Sequence, residues 1–389
     1  MDNKAKKLLL ITDMFPRPEN PTDGVFVLHQ VQALAAHYQV RVFSSWFPAR
    51  YKVQVSQKPE YDVIQVYYPQ SRVFFPLTTY YYHKYVLPKL KEVLESYDPD
   101  IIHVHDCRHL PELLCMQDLL AKQRAKKILT VHNIKTLPER AGRFGPRSIY
   151  RNTLPKAFRV WDKVLFVNKQ LLTRMQDIVP SHKSQFIGNA IMPTPECSDE
   201  SLSHIKEKIE SKNFNILSVG NLVDTKGFDI LIHAFARVQS QYRDMSLTII
   251  GSGKQQKKLI NQILSLGLEK QINMIPAQPN EIVRNVYKCF DLFALPSYSE
   301  TFGIVYIEAM EAGLPVIGVR GQGIDGVVRD GVTGLLCEPR NVSDLVSKIR
   351  WVINNREAAT KIACAGQIHV REHFMMDKLI DRLVEIYEG

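Results

Sequence analysis

Residues 295–315 read LPSYSETFGIVYIEAMEAGLP, and this stretch predicts a strand end, a polar turn and a helix in close succession. The apolar run before it ends at Pro296, and apolar residues then recur at helical spacing from residue 304 to residue 313. The first turn of such a helix leaves backbone N–H groups unpaired, and a glycine there lets a ligand approach them. We therefore expect an anionic group to bind at Phe302, Gly303 and Ile304.

Two carboxylates flank this turn. Glu300 lies just before it, and Glu308 follows two helical turns later. A carboxylate beside an anion site cannot bind the anion, whereas it can accept hydrogen bonds from hydroxyl groups. A phosphate flanked by two polyols describes a nucleotide sugar. The spacing alone leaves a second interpretation open, in which both glutamates are solvated charges on a helix.

The whole string resembles the E-x7-E signature of the retaining, GT-B type glycosyltransferases of family 4, and further segments extend the resemblance along nearly the full chain. In that family the first glutamate contacts the donor sugar and the second contacts the ribose. The resemblance therefore implies a catalytic position beside the sugar for Glu300 and a donor-binding role for Glu308.

Length and composition set limits on the class of protein. A chain of 389 residues suits two domains, each able to bury a core. No apolar run approaches the ~20 residues that a membrane span needs, so we expect a protein that is neither secreted nor membrane-spanning. The six cysteines include no C-x-x-C pair, which fits a reducing compartment without structural zinc. The expected location is the cytoplasm.

Short apolar runs alternate with helical patterns along the chain, which is typical of α/β proteins with parallel sheets. Prolines and polar residues interrupt this pattern at residues 193–212, and a second series then opens with FNILSVGN. We therefore predict two Rossmann-like domains, residues 1–192 and 213–374, with that segment as the linker. The resemblance implies the GT-B arrangement, in which the sheets face across a cleft. It also implies that helix 375–389 packs back on an acceptor-binding first domain, and that the second domain binds the nucleotide sugar.

A second glycine-bearing turn, VGNLVDTKGFDILIHAF at residues 219–235, places Lys226 where a helix begins. A lysine there opposes the helix dipole by up to ~1 kcal/mol, so we expect an anionic group to compensate it. The segment resembles the G-x-L-x-x-x-K-G pattern of the family, and Lys226 matches its diphosphate-binding lysine. Asn221 stands where an arginine often adds a second charge. Either Asn221 contributes only a hydrogen bond to the donor, or another cation such as Arg320 substitutes.

The first half contributes further candidates. Gly24 precedes a helix in a long turn, and it resembles the family's glycine-rich donor loop without the usual doublet. His105 and His132 each end a predicted strand, in HVHD and TVHN, and TVHN resembles a family segment whose histidine lies near the donor sugar. We predict His132 as the catalytic member and expect His103 to face the sheet interior. A plain helix start for Gly24 and purely structural roles for the histidines remain open.

The segment IIGSGKQQKKL at residues 249–259 invites a P-loop or dinucleotide interpretation, and both fail. The glycines that those motifs require are replaced by Thr248 and Gln256. The segment instead resembles a glycosyltransferase turn with a packing role, so we assign it no ligand contact.

Together these features predict a retaining glycosyltransferase of hexosyltransferase type. It would move a sugar from a nucleotide-diphosphate sugar to a hydroxyl acceptor in bacterial cell-surface polysaccharide or glycolipid assembly. We expect no cofactor and no metal, because Lys226 and helix amides can stabilise the departing diphosphate. The D-x-D triplet at residues 98–100 interposes a proline just before a strand. A nucleotide-sugar epimerase of the same architecture and a non-catalytic sugar- or lipid-binding protein remain alternatives.

Charge is unevenly distributed along the chain. Residues 1–192 carry 28 Lys and Arg against 16 Asp and Glu, whereas the remainder carries 22 against 24. No nucleic-acid motif is present, so we expect no nucleic-acid partner. Aromatic and basic segments at residues 73–91 and 140–159 suit an anionic membrane interface. We therefore predict peripheral contact with the inner face of the plasma membrane and a sugar or lipid-linked acceptor. In the alternative, Tyr80 to Tyr82 pack in the core and the arginines are solvated.

Overall fold

The chain is divided into two compact units. The computed structural model describes residues 5–21, 23–47, 49–69, 79–105, 110–132, 154–196, 198 and 212–389. The first unit comprises Met1–Gly188 and Leu379–Gly389, and the second comprises Asn189–Lys378. Each unit contains one sheet with helices between its strands.

The sheet of the first unit has eight strands within the described residues. Strands covered on both faces are nearly continuous apolar runs, and the KLLLIT segment is of this kind. The strands are β1 (Lys7–Thr12), β2 (Gln39–Trp46), β3 (Lys52–Gln57), β4 (Tyr61–Tyr67), β5 (Ile101–His105), β6 (Lys126–Val131), β7 (Lys163–Phe166) and β8 (Ser184–Phe186). Their order is β3-β4-β2-β1-β5-β6-β7-β8, and every pairing is parallel except that of β3 with β4.

Four described helices connect these strands: α1 (Val25–Leu34), α2 (Leu87–Tyr97), α3 (Leu110–Ala121) and α4 (Lys169–Arg174). A π-helical turn, Tyr82–Val86, leads into α2. Large side chains that are fully buried, among them Trp161, Tyr82 and Phe166, fill the core of this unit.

The sheet of the second unit has six strands, all parallel. They are β9 (Phe214–Val219), β10 (Met245–Ile250), β11 (Ile272–Ile275), β12 (Leu292–Ala294), β13 (Val316–Val319) and β14 (Leu335–Cys337). Their order is β11-β10-β9-β12-β13-β14. The chain therefore runs outward from β9 in one direction and then returns to its other side with β12, which places the ends of β9, β12 and β13 next to one another.

Seven α-helices accompany this second series in the described part of the chain: α5 (Phe228–Gln239), α6 (Gln256–Ser265), α7 (Asn280–Val286), α8 (Ile304–Glu311), α9 (Val342–Asn354), α10 (Arg356–His373) and α11 (Met376–Glu388). A 3-10 turn, Tyr287–Cys289, continues α7. From Leu379 onward α11 belongs to the first unit. None of the helices in the described ranges combines the length and apolarity that crossing a membrane would require.

The predicted α/β class with parallel sheets is confirmed, and the structure adds details that the prediction lacked. The strands β3 and β4 were not predicted.

The first unit ends at Gly188 rather than at residue 192, because Ile191 pairs with the segment before α11. Its N–H donates to Phe374 O and its carbonyl accepts from Met376 N, both at 2.9 Å. The part of α11 that joins the first unit begins at Leu379 rather than at residue 375.

The predicted membrane segments are only partly described. Residues 73–78 and 140–153 lie outside the described residues, and most of the predicted linker does too. Within the aromatic segment, Tyr82 is buried in the core, as the alternative interpretation required, whereas Tyr80 is 53% exposed. Consecutive tyrosines of this segment therefore differ in burial, and only part of the segment packs in the core.

Candidate donor site

Three loops lie side by side at the carboxyl edge of the second sheet, because β9, β12 and β13 are neighbours. The N–H of Tyr298, after β12, donates to Thr225 O after β9 (2.9 Å). On the other side, the N–H of Gly323, after β13, donates to Glu300 O (3.0 Å). The loop after β12 is thus held on both sides, at the edge where parallel α/β sheets bind ligands.

Two glycines allow these loops to pack closely. A Cβ atom at Gly227 would lie 2.3 Å from Pro296 O, and one at Gly303 would lie 2.6 Å from the ring of Tyr306. Both residues have left-handed backbone conformations, with φ of 71° and 87°. Neighbouring atoms of the protein therefore already require glycine at both positions, and Gly303 also precedes the first residue of α8.

Lys226 and Glu300 form an ion pair, with 2.5 Å between Lys226 Nζ and Glu300 Oε2. Their side chains are 21% and 11% exposed, so the pair is partly open to solvent. The N–H of Glu300 also donates to the side-chain oxygen of Gln322 (3.3 Å). The structure thus brings together the residue predicted to bind diphosphate and the one predicted to lie beside the sugar. The Glu300 carboxylate neutralises the Lys226 ammonium group.

Glu308 lies on α8 and is buried, with two hydrogen-bond donors on its carboxylate. Asn280 Nδ2 donates to Oε1 (2.9 Å), and the Tyr287 hydroxyl donates to Oε2 (3.3 Å). Burial raises the pKa of Glu308 above its ordinary value, while the Asn280 hydrogen bond, the charge of Arg284 and the Tyr287 hydrogen bond oppose the rise. Both donors favour a carboxylate that accepts hydrogen bonds, as a hydroxyl-binding role requires.

The remaining residues of the predicted anion site contribute backbone rather than side chain. Phe302 is buried, and its ring contacts Phe374 with 5.8 Å between centroids. Ile304 is half-buried and begins α8. Neither side chain offers a polar group, so any contact with an anion comes from N–H groups in the first turn of α8.

Asn221 and Arg320 are the candidates for a second hydrogen bond or a second positive charge at the diphosphate. Asn221 is exposed in the loop after β9. The guanidinium of Arg320 is bonded to Asp330 (2.7 Å) and Glu338 (3.0 Å), and these carboxylates raise its pKa. The charge of Arg320 is therefore already balanced within the unit.

In the first unit His103, His105 and His132 form one buried cluster. His105 Nδ1 and His132 Nε2 are 3.1 Å apart, and the ring of His132 contacts Phe26. His103 is bonded to Tyr387 of α11 (2.5 Å) and to Thr130 (2.7 Å).

These histidines are neutral at physiological pH. Burial lowers the pKa of His132 to about 3 and that of His103 to about 3, and it lowers the pKa of His105 in the same direction. A neutral His132 can exchange a hydrogen bond with a hydroxyl, but it does not offer a positive charge to a phosphate.

Gly24 precedes α1 with φ of 68°, and a Cβ atom there would lie 2.2 Å from Met14 O. The contact with Met14 is enough to require glycine, whether or not a ligand approaches. Gly251 and Gly253 have a similar explanation, because Cβ atoms there would lie 2.0 Å from Gly220 O and 2.5 Å from Leu222 O. The turn at residues 249–259 thus packs against the loop after β9.

Sequence reasoning missed Asn280, Tyr287 and Gln322, which support the two glutamates. A signal existed for the first two, since Asn280, Arg284 and Tyr287 recur at i, i+4 and i+7 and therefore share one helix face.

Among the described residues, no group of three or more His, Cys, Asp and Glu is arranged to hold a metal ion.

Two family models match the chain. The glycosyl transferases group 1 model covers residues 199–368, and the Glycosyltransferase Family 4 model covers residues 24–194. These two matches correspond closely to the second and first units.

Curated relatives match mainly parts of the chain. It is 33% identical over 175 residues to an uncharacterized glycosyltransferase of Haemophilus influenzae, covering 45% of this chain and 48% of the relative. It is 26% identical over 305 residues to the N-acetyl-alpha-D-glucosaminyl L-malate synthase of Bacillus anthracis, covering 77% of each. Over 176 residues it is 32% identical to the D-inositol 3-phosphate glycosyltransferase of Rhodococcus erythropolis, covering 43% of this chain and 40% of the relative. The match thus spans about half the length, or less, of two of these three relatives.

Solved structures match the whole chain. Anabaena HepE in complex with UDP and glucose aligns with a TM-score of 0.72 at 20% identity, covering 98% of this chain and 99% of HepE. Sucrose-phosphate synthase from Thermosynechococcus elongatus aligns with a TM-score of 0.75 at 17% identity, covering 98% of both chains. The fold thus defines a protein of the GT-B class, as the sequence predicted. Within that class, the chain belongs to glycosyltransferase family 4.

Proposed function

We propose that this protein is a retaining glycosyltransferase that moves a sugar from a nucleotide-diphosphate sugar to a hydroxyl acceptor. The observation that carries the proposal is the Lys226–Glu300 ion pair at the carboxyl edge of the second sheet, beside the first turn of α8. A cation for a diphosphate, a carboxylate for sugar hydroxyls and unpaired amides are thereby grouped in one place.

The proposed donor binds by exchanging partners with this ion pair. The diphosphate takes the Lys226 ammonium, and Glu300 is released to accept hydrogen bonds from the sugar. As the bond to the sugar breaks, negative charge grows on the departing diphosphate, where Lys226 and the amides of α8 stabilise it. Glu308 accepts hydrogen bonds from the ribose. This scheme assigns no step to a metal or cofactor, and no residue acts as a covalent nucleophile.

The acceptor is assigned to the first unit on grounds of charge. Residues 1–192 hold an excess of 12 positive charges, since they carry 28 Lys and Arg against 16 Asp and Glu. The names of two relatives contain L-malate and D-inositol 3-phosphate, both of them anionic. We therefore propose an anionic acceptor, with neutral His132 as a hydrogen-bond partner of a reacting hydroxyl.

A membrane location would supply such an acceptor as a lipid-linked diphosphate. Tyr51 and Tyr80 are about half exposed, and Tyr51 stacks on Tyr85 with 4.8 Å between ring centroids. Lys84 lies over the rings of Tyr80 and Tyr85. Aromatic rings with an adjacent lysine suit the interface of an anionic bilayer. The proposed location is the cytoplasm, with peripheral contact at the inner face of the plasma membrane, in polysaccharide or glycolipid assembly.

The donor assignment is tested by thermal shift with UDP-, GDP- and ADP-sugars. A ligand at ~100 times its Kd should stabilise the protein by ~2.7 kcal/mol. The donor that binds is then incubated with lipid-linked diphosphate or with a soluble anionic acceptor, and the anomeric configuration of the product is determined by NMR. Retention of configuration is expected. Donor binding without any transfer, or conversion of the sugar without acceptor, would contradict the proposal.

The membrane assignment has its own test, namely sedimentation with phosphatidylcholine vesicles that contain or lack phosphatidylglycerol, at low salt. Binding is expected only with the anionic lipid. Lys84→Glu with Tyr80→Ser should weaken it, whereas Lys258→Glu in the second unit should not. Arg143→Glu with Arg147→Glu should weaken both vesicle binding and transfer to the lipid-linked acceptor. Indifference to anionic vesicles, together with efficient transfer to a soluble anion, would remove the membrane from the proposal.

A further inference from the structure

One face of α7 presents polar side chains to the segment that contains Glu308. Asn280, Arg284 and Tyr287 follow at i, i+4 and i+7, so they line one side of the helix and its 3-10 extension. Asn280 and Tyr287 each donate a hydrogen bond to a different oxygen of the Glu308 carboxylate (2.9 and 3.3 Å). Both carboxylate oxygens are therefore held from one helix.

Arg284 fixes that helix in place. It is buried and donates to Met192 O (2.5 Å) and to Thr194 Oγ1 (2.8 Å), and it lies 3.6 Å from Glu311 on α8. A buried arginine with three partners is costly to displace. The donors of α7 thus approach Glu308 from a rigid support.

The two donors differ in burial. Tyr287 is fully buried, as is most of Glu308, whereas Asn280 is exposed. Asn280 therefore bonds its carboxylate oxygen near the surface of the unit, whereas Tyr287 bonds the other oxygen from the core. Removing its side chain leaves no cavity in the core, so its contribution to Glu308 can be separated from folding.

A carboxylate recognises neighbouring hydroxyl groups well only when its oxygens are fixed in direction, since a freely rotating group loses entropy on binding. Two amide or hydroxyl donors on one side orient the group and leave lone pairs for a ligand on the other. We propose that Asn280 is a positioning residue that orients Glu308 toward the ribose hydroxyls of the donor nucleotide. This inference rests on the proposed donor-binding function.

The test compares nucleoside diphosphates that differ only in the ribose. Affinities for UDP, GDP and ADP, and for their 2′,3′-dideoxy counterparts, are measured by calorimetry on the full chain. The wild-type protein should prefer the ribose form of its nucleotide by about 10- to 100-fold, the effect of losing hydrogen bonds to a charged group. Asn280→Ala should reduce this preference at least fivefold, mainly by weakening binding of the ribose form.

Two further variants separate positioning from general damage. Asn280→Asp keeps the shape but replaces a donor with an acceptor facing Glu308, so the preference should fall further than with alanine. Asn285→Ala is the matched control, because Asn285 lies on the same helix but donates to the carbonyls of Pro195 and Glu281. It should leave the preference unchanged.

The outcomes distinguish this inference from the function on which it rests. If none of the three nucleoside diphosphates binds the wild-type protein, the proposed function fails. If one binds and the ribose preference is absent, or is equal in wild type and Asn280→Ala, the function stands and the role of Asn280 is wrong.

Discussion

The candidate residues of the two sheets differ in charge and in burial. In the second unit, Lys226 and Glu300 are charged, paired with each other and partly open to solvent. In the first unit, His103, His105 and His132 are buried, neutral and bonded to one another or to neighbouring side chains. The Lys226–Glu300 pair is partly open to solvent, so an incoming anion can reach the ammonium group, whereas a buried polar cluster is costly to disturb.

This contrast fits the proposed division of work between the units. A diphosphate can replace Glu300 on Lys226 because the ammonium group stays paired with an anion, so the carboxyl edge of the second sheet suits the proposed donor. The histidine cluster offers hydrogen bonds without charge, so the first edge is suited to a neutral hydroxyl. Four predictions test this difference between the two units.

The largest effect is expected for Glu300→Gln. Transfer should fall at least ~100-fold, because the charged acceptor for the sugar hydroxyls is lost. Free nucleoside diphosphate should bind about two- to tenfold more tightly, because Lys226 loses a competing carboxylate. Steady-state kinetics and calorimetry measure the two effects, with exposed Glu281→Gln as the control. Near-normal transfer, or weaker diphosphate binding, would show that the ion pair does not exchange partners.

Lys226→Ala should weaken both the donor and the free nucleoside diphosphate by about 10- to 100-fold at low salt, because charged hydrogen bonds to the phosphates are lost. The loss should shrink as salt rises, since part of the interaction is screened charge. The control is Lys258→Ala, because Lys258 is 66% exposed and lies 3.9 Å from Asp224. An unchanged diphosphate affinity at low salt would place the anion site elsewhere.

His132→Asn should lower transfer by about tenfold, the effect of one hydrogen bond in the reacting complex. Nucleoside diphosphate affinity should stay the same, because the proposed donor site belongs to the second unit. Transfer assays and calorimetry on the same preparation check both statements. If transfer is unchanged in a folded variant, His132 serves packing alone, as the alternative interpretation of the sequence held.

The fourth prediction concerns the stability of the first unit against pH. The pKa of His103 is about 3 in the folded protein, below the ordinary value of 6.5, so the unfolded chain binds the proton first as pH falls. The stabilisation is complete above pH 6.5 and is lost between 6.5 and about 3, at no more than roughly 1.4 kcal/mol per pH unit for each such histidine.

Melting temperatures between pH 7.5 and 4.5 test this expectation. His103→Gln should flatten the decline on acidification, whereas His83→Gln, at an exposed position, should not. An equal decline in wild type and His103→Gln would mean that folding does not lower the pKa of His103.

Much of the fold could be predicted because its signals are local. The apolar runs at β1, β9 and β10 correspond closely to the observed strands, since strands covered on both faces need continuous apolar sequence. The hairpin β3–β4 was missed because β3 is mostly exposed and lacks such a run.

The candidate site was predicted in part. The motif around Glu300 and Glu308 was visible, and so was Lys226, which ends a 3-10 turn just before α5. Their contacts were not visible, because Lys226 and Glu300 are 74 residues apart and meet only through the pairing of β9 with β12. Asn280 was overlooked for the same reason, although its helix face could be recognised from spacing.

By itself, the sequence determined the alternation of strands and helices, the glycines at left-handed turns and the family signature, because these depend on neighbours within a few residues. Three features depend on the tertiary structure: the charges that pair, the histidines that are neutral, and the side chain that orients Glu308. Strand order brings distant segments together, and burial then sets the free energy of each ionised form. Neither quantity can be read from residues that are adjacent in the chain.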